Sequence, residues 1–117
     1  MARITSDFFV SAYVRRRNDA GLFTAVVKRG AAEAGAIFVK VARLDGSADL
    51  YGPAPQVYLD DLAPAIAGGR VFERLLDAAP EPDIDARLRS ERRFDEDCWI
   101  VETEDREGSA DLDIVES

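Results

Sequence analysis

The chain has 117 residues, 47% of them hydrophobic and 32% charged, with a net charge of −8, one cysteine and no histidine. That length holds one domain, burying roughly 65% of its unfolded surface, and no apolar run approaches the ~20 residues that a membrane helix needs. With no histidine, Ser-His-Asp and Cys-His nucleophile systems, His-ligated zinc and imidazole general bases are excluded within one chain.

The amino terminus, MARITSDFFVSAYVRRR, carries most of its basic residues after the apolar stretch rather than before it, unlike a secretory signal. The lone Cys98 has no internal disulfide partner. Both features lead us to expect a cytoplasmic protein.

The first predicted element is a helix near Ser6 to Arg17. Ser6 caps it, Asp7 suits the positive end of the helix dipole, and Arg15, Arg16 and Arg17 suit the negative end. Phe8 with Ala12 and Phe9 with Tyr13, flanked by Val10 and Val14, form a wide apolar stripe at i, i+4 spacing. Asn18-Asp19-Ala20-Gly21 supplies the stop. The β-branched and aromatic run Leu22 to Arg29 is a predicted strand, and Gly30 to Gly35 is a short connection.

The clearest signal is the stretch from Ala36 to Ala54, in which Asp45-Gly46 separates two extended apolar runs. Asp-Gly favours a two-residue type I′ turn, because both central positions need φ > 0. A β-hairpin with that turn sets Leu44 against Ser47, Val41 against Leu50 and Lys40 against Tyr51. Ile37, Val39, Val41 and Leu50 then share one face, which should be core. Pro53 and Pro55 lack the N–H that an inner ladder requires, so the hairpin ends at a bend or a sheet edge.

Residues 57 to 69 are a predicted loop with an edge segment at Val57 to Leu59. Arg70 to Leu76 alternates like a strand, although Phe72, Leu75 and Leu76 would also line a helix; the strand is preferred. Pro80-Glu81-Pro82-Asp83 opens a second helix, in which Ile84 and Leu88 mark the apolar side, ending near Arg92 or Arg93. Cys98 to Val101 is an uninterrupted apolar run flanked by acids, which predicts a strand buried on both faces. Together these elements predict an α+β domain over residues 1–104, a mainly antiparallel sheet with both helices on one side. Residues 105–117 are acidic and weakly patterned, and a mobile tail is expected there.

Three segments, SDFFVSAYVRR, LYGPAPQ and RRFDEDCWIVE, together resemble an uncharacterised family of small bacterial proteins, the domain of unknown function numbered fourteen ninety-one. The resemblance spans about residues 3 to 104. It implies a bacterial domain and carries no activity, cofactor or partner with it. Members show proline where this chain has Glu96 and a bulky apolar residue where it has Cys98, which argues against a catalytic Cys98.

Four groups of residues invite a functional reading. Tyr51, Pro53, Pro55, Gln56 and Tyr58 would line a groove if the stiff proline segment were a contact surface; a rigid turn is the plainer account. Arg15, Arg16, Arg17, Lys28 and Arg29 would bind RNA or another anion; dipole capping and pairing with the acidic half is the plainer account. Residues 1 to 43 hold eight Lys or Arg against three acids, net +5, leaving the rest of the chain at −13. Asp60-Asp61 and Asp95-Glu96-Asp97 offer oxygen ligands but lack the calcium-loop spacing, and no GK[ST] or GxGxxG follows Gly30 or Gly35, so no metal and no cofactor is expected. An apolar neighbourhood makes Cys98 a packing residue rather than a reactive thiol.

The sequence therefore leads us to expect a non-enzymatic domain that binds or regulates another macromolecule, through the tyrosine-proline surface or a sheet edge that would also serve a homo-oligomer. An RNA- or nucleotide-associated protein is the first alternative, and a carboxylate-and-Mg²⁺ enzyme the second. A protein partner is favoured over nucleic acid, since a net −8 repels polyanions.

Overall fold

The computed structural model describes residues 4–55 and 70–115. In chain order these form α1 (Ser6–Asp19), β1 (Thr24–Lys28), β2 (Ile37–Ala42), β3 (Ser47–Pro53), β4 (Phe72–Pro80), α2 (Glu81–Phe94), β5 (Trp99–Glu104) and β6 (Ile114–Val115). The fold is α+β, and the six strands make one open sheet in the order β1-β5-β2-β3-β4-β6.

The sheet is mixed, not mainly antiparallel as expected. β1 with β5, β2 with β3, and β3 with β4 are antiparallel, but β2 with β5 and β4 with β6 run parallel. The cause is α2. It leaves β4 near one side of the sheet and returns the chain on the far side of β2, so that β5 slots between β1 and β2. Local pattern reveals hairpins and not crossovers, which is why hydrophobic alternation gave no sign of these pairings.

The helices also lie on opposite faces rather than on one. Val10 and Tyr13 of α1 pack with Ile37, Val39, Val41, Tyr51, Phe72, Trp99 and Val101. Ile84 and Leu88 of α2 pack with Phe38, Ala48, Leu50, Cys98 and Ile100. A strand covered on both sides has no solvent face, and all six residues of β2 are buried. The apolar run Cys98 to Val101 is buried throughout, as its pattern predicts.

The hairpin forms with a different register. Val41 faces Asp49, Lys40 faces Leu50 and Val39 faces Tyr51. The connection is the three residues Leu44, Asp45 and Gly46, closed by the Arg43 amide donating to the Ser47 carbonyl at 3.1 Å. Leu44 and Gly46 both take positive φ, 65° and 92°. Asp45 accepts from the Ser47 amide and hydroxyl at 2.9 and 2.6 Å, an Asx turn that stabilises the longer loop. One residue of slip moves every side chain of the returning strand to the other face. Leu50 thus packs under α2, while Tyr51 packs under α1.

Burying both faces of β2 brings a lysine inside. Lys40 points to the α2 side, 7% exposed at its side chain, with Glu81 at 3.0 Å, Asp85 at 3.0 Å and Glu102 at 3.7 Å. Burial pulls its pKa down, but the three carboxylates outweigh that, and the net shift is upward.

Residues 105–115, expected to hang free, lie instead against α1 and β4. Ala110 is buried, and its carbonyl accepts from the Tyr13 hydroxyl at 2.6 Å. The Ser109 carbonyl accepts from Arg17 at 2.7 Å, and the Phe72 amide donates to Asp113 at 2.9 Å just before β6 joins the sheet. Burial pushes the Tyr13 hydroxyl up to about 12. A hydroxyl held neutral in the fold contributes stability that is complete below the unfolded value near 10 and is lost as pH rises through the folded one; the loss is about 2–3 kcal/mol between about pH 10 and 12. Lys40 acts in the same direction. Stability measured by denaturant melts should fall across that range in the parent and fall less in Tyr13→Phe. Equal losses in the two proteins would contradict this.

Candidate functional site

On α2, Arg89, Arg92 and Arg93 follow i, i+3, i+4 spacing, which sets their side chains along one flank of the helix. All three are exposed. Together with Lys28 at the end of β1 they line an open groove of about 490 Å³, into which Glu96 contributes the single carboxylate among the described residues. None of the three arginines forms an ion pair among the described residues. Local sequence offers Arg89 a partner at i−4 in Asp85, but Asp85 is drawn instead to Lys40 in the sheet. Arg87 does pair along the helix, with Glu91 at 3.3 Å.

Lys28 contributes to this groove as a fixed charge. Its ammonium donates to the carbonyls of Arg29, Glu96 and Cys98 at 3.1, 2.6 and 2.8 Å. All three of its donors are thereby spent, which holds the end of β1 to the turn entering β5. A bound anion would feel its charge but take its hydrogen bonds from the guanidinium groups. Phe94, one residue after Arg93, is 89% exposed.

The sequence-predicted sites are distributed differently. Tyr51 is 1% exposed, and its hydroxyl accepts from Arg74 at 3.2 and 2.9 Å, so it belongs to the core. With a helix on each face of the sheet, neither side of β3 is open to solvent at this position. Pro53 and Pro55 are exposed, while Gln56 and Tyr58 lie outside the described residues.

The basic run of α1 divides as successive helical residues must. Arg15 is exposed, and Arg16 pairs with Asp111 at 2.7 Å. Arg17 is 3% exposed, donating to Thr103 and Ser109 with Asp105 at 3.7 Å. Arg29 lies over the Trp99 ring at 5.0 Å. Of the five predicted anion-binding residues, only Lys28 lines the α2 groove.

The other chemical candidates have structural roles. Asp95 accepts from the Asp97 amide at 2.9 Å, making the turn before β5. Burial pushes the Cys98 thiol pKa up, away from the reactive thiolate. Among the described residues no group of three or more Cys, Asp or Glu is arranged to hold a metal ion. Asp60 and Asp61 lie outside those residues. Two smaller cavities, about 230 and 280 Å³, flank Arg70, whose guanidinium is committed to the Ile4 and Glu33 carbonyls.

A family model described as "Protein of unknown function (DUF1491)" matches residues 4–113. The chain belongs to the DUF1491 family. Its solved relatives include protein Atu0922 from A. tumefaciens, 46% identical, with a TM-score of 0.81 over 98% of this chain and 97% of that one. Two further structures are of DUF1491 family proteins from Caulobacter crescentus CB15. The crystal structure is 32% identical, with a TM-score of 0.76 over 97% of this chain and 98% of that one. The NMR structure is also 32% identical, with a TM-score of 0.77 over 99% and 100%. No functionally curated protein matches the chain. The DUF1491 match runs to Asp113, beyond the boundary expected at residue 104, and so takes in the segment that packs on α1. No helix among the described residues is long and apolar enough to cross a membrane.

Proposed function

We propose that this DUF1491 chain is a non-catalytic binding module that holds an anionic part of another macromolecule in the groove of Lys28, Arg89, Arg92 and Arg93. The observation that carries this reading is the local excess, among the described residues, of four cations over one carboxylate, in a chain whose net charge is −8. Such a reversal of sign focuses the field on one place and steers an oppositely charged ligand to it. Support for a non-catalytic role comes from how the buried charges are spent. Lys40 faces Glu81, Asp85 and Glu102; Asp49 faces Arg43 at 2.8 Å; Arg17 faces Thr103 and Ser109. Each of these groups is turned to a structural partner. A cytoplasmic setting suits the free, buried Cys98.

A sheet edge is a weaker contact surface. The Asn18 side chain accepts from the Thr24 amide at 2.9 Å and donates to its carbonyl at 3.0 Å, occupying the outer side of β1 as a neighbouring strand would. The register also shifts between Val26 and Lys28. Both devices blunt an edge against pairing.

Affinity capture from the native cytoplasm, with bound proteins and RNA identified together, tests the proposal when run beside an Arg89→Ser/Arg92→Ser/Arg93→Ser variant. The expected result is a partner held by the parent at low salt and lost by the variant, whose thermal midpoint matches the parent's. A partner held equally by both proteins would contradict it.

A further inference from the structure

We infer that the occupant of the α2 groove is a carboxylate-rich segment of a protein partner, one that carries an apolar residue to cover Phe94 and is surrounded by neutral or basic surface. This deepens the reading given under Proposed function and rests on it.

The position of the groove on its helix argues for carboxylates over phosphates. Phosphoryl groups are held where backbone N–H groups converge, at helix N-termini and in nests of successive amides. This groove lies along the last turns of α2, where the dipole is negative, and the adjacent Lys28 is bound to three carbonyl oxygens. Backbone here repels concentrated negative charge, so an anion must be held by side chains alone. Singly charged, planar carboxylates spread along a segment suit that arrangement better than one dianion. Each exposed guanidinium presents a fork that takes a carboxylate through two parallel hydrogen bonds.

The surroundings argue against a long polyanion. RNA binding requires a basic track several phosphates long. Here the cationic stretch is flanked on its own chain by Asp95, Glu96 and Asp97 after α2, and by Glu81, Asp83 and Asp85 at the start of that helix. A phosphodiester chain leaving the groove would meet those acids. A protein segment acidic only at its tip would enter the groove and set neutral or basic surface against the same acids.

Phe94 supplies the apolar half of the contact. Consecutive helical residues are turned by about 100°, so Phe94 and Arg93 occupy adjoining sides of the last turn of α2. A partner segment that wraps round that turn past Arg93 would pair its acids with the arginines and, on the next side of the helix, cover a side chain that is 89% exposed. Aromatic residues and arginine are the types enriched in interface anchors.

Fluorescence-anisotropy titration of the intact protein with three probes tests the inference: a short Asp/Glu-rich peptide bearing one leucine, a single-stranded RNA oligomer, and inorganic phosphate as competitor. The peptide should bind parent protein and weaken about 10-fold or more in Arg89→Ser/Arg93→Ser and several-fold in Phe94→Ser, each variant melting with the parent. RNA should bind more weakly than the peptide, and phosphate should not displace it. Tighter binding of RNA, or displacement by phosphate, with loss in the arginine variant, would overturn the carboxylate assignment and leave the anion-binding groove standing. If the arginine variant changes binding of none of the three probes, the groove reading itself fails.

Discussion

Replacing Trp99 by alanine should cost about 3–5 kcal/mol, a large share of the 5–15 kcal/mol typical of a domain this size. Trp99 opens β5, between β1 and β2, and is 1% exposed. It faces the α1 side of the sheet, beside Ile37 and within reach of the cluster that contains Val10 and Tyr13. Its indole N–H donates to the Ala31 carbonyl at 2.8 Å, so the side chain also fastens the β1–β2 connection. That connection is already tight, since a β-carbon at Gly30 or Gly35 would collide with the Asp97 carbonyl. Alanine leaves a cavity that the clamped loop is poorly placed to close. Denaturant melts check the expectation, and a loss below about 1 kcal/mol would show that Trp99 is not a core residue.

The second large effect is expected from deleting residues 105–117. The cut removes the buried Ala110, the acceptors of Tyr13 and Arg17, the Asp111 partner of Arg16 and the whole of β6. Arg17 would keep Thr103 as its partner, at 3.1 Å. A buried guanidinium that loses a carbonyl and a nearby carboxylate has to be resolvated by opening the structure around it. With the exposed apolar surface of α1 added, the loss should be about 3 kcal/mol or more, enough to lower the melting midpoint markedly. An unchanged midpoint would mean that this segment contributes nothing to the fold and is the mobile tail its composition suggests.

These two expectations mark what the sequence disclosed and what it concealed. Trp99 was legible because an unbroken apolar run between acidic flanks has one simple explanation, a strand covered on both faces. The helix after Pro80 was legible from its opening prolines and from Ile84 and Leu88. α1 was legible from its apolar spacing, although Ser6, inside the helix, donates to the Gly35 carbonyl rather than capping it, and Phe8 is exposed. β1 was legible from its β-branched and aromatic content and β4 from alternation. The segment after Glu104 reads as a tail because acids interleave its anchors: Ala110, Leu112 and Ile114, which pack on the α1 cluster, alternate with Asp111 and Asp113. Backbone acceptors are invisible in composition. The parallel pairing of β5 with β2 was hidden for a related reason, since it depends on where α2 sets the chain down.

The candidate site was partly legible as well. Lys28 was named, but grouped with Arg15, Arg16 and Arg17, which helical geometry sends in three directions. Arg89, Arg92 and Arg93 carried a readable signal in their i, i+3, i+4 spacing. Recognising them as available required knowing that Asp85 is taken by Lys40, a contact across 45 positions. The hairpin pairing was off by one residue, since Asp45-Gly46 closes a three-residue loop that includes Leu44 at φ 65°, and Tyr51 was named for its place beside the prolines, which says nothing of its burial.

The most direct test of the central claim is to map where an anionic ligand sits. Amide chemical shifts of the isotope-labelled protein, followed by NMR during titration with the acidic peptide, should move at Lys28, Arg29 and from Arg89 to Asp97, and should return as salt is raised. Shifts centred on the β1 edge or on Pro53 and Pro55, with the α2 amides unmoved, would contradict the account.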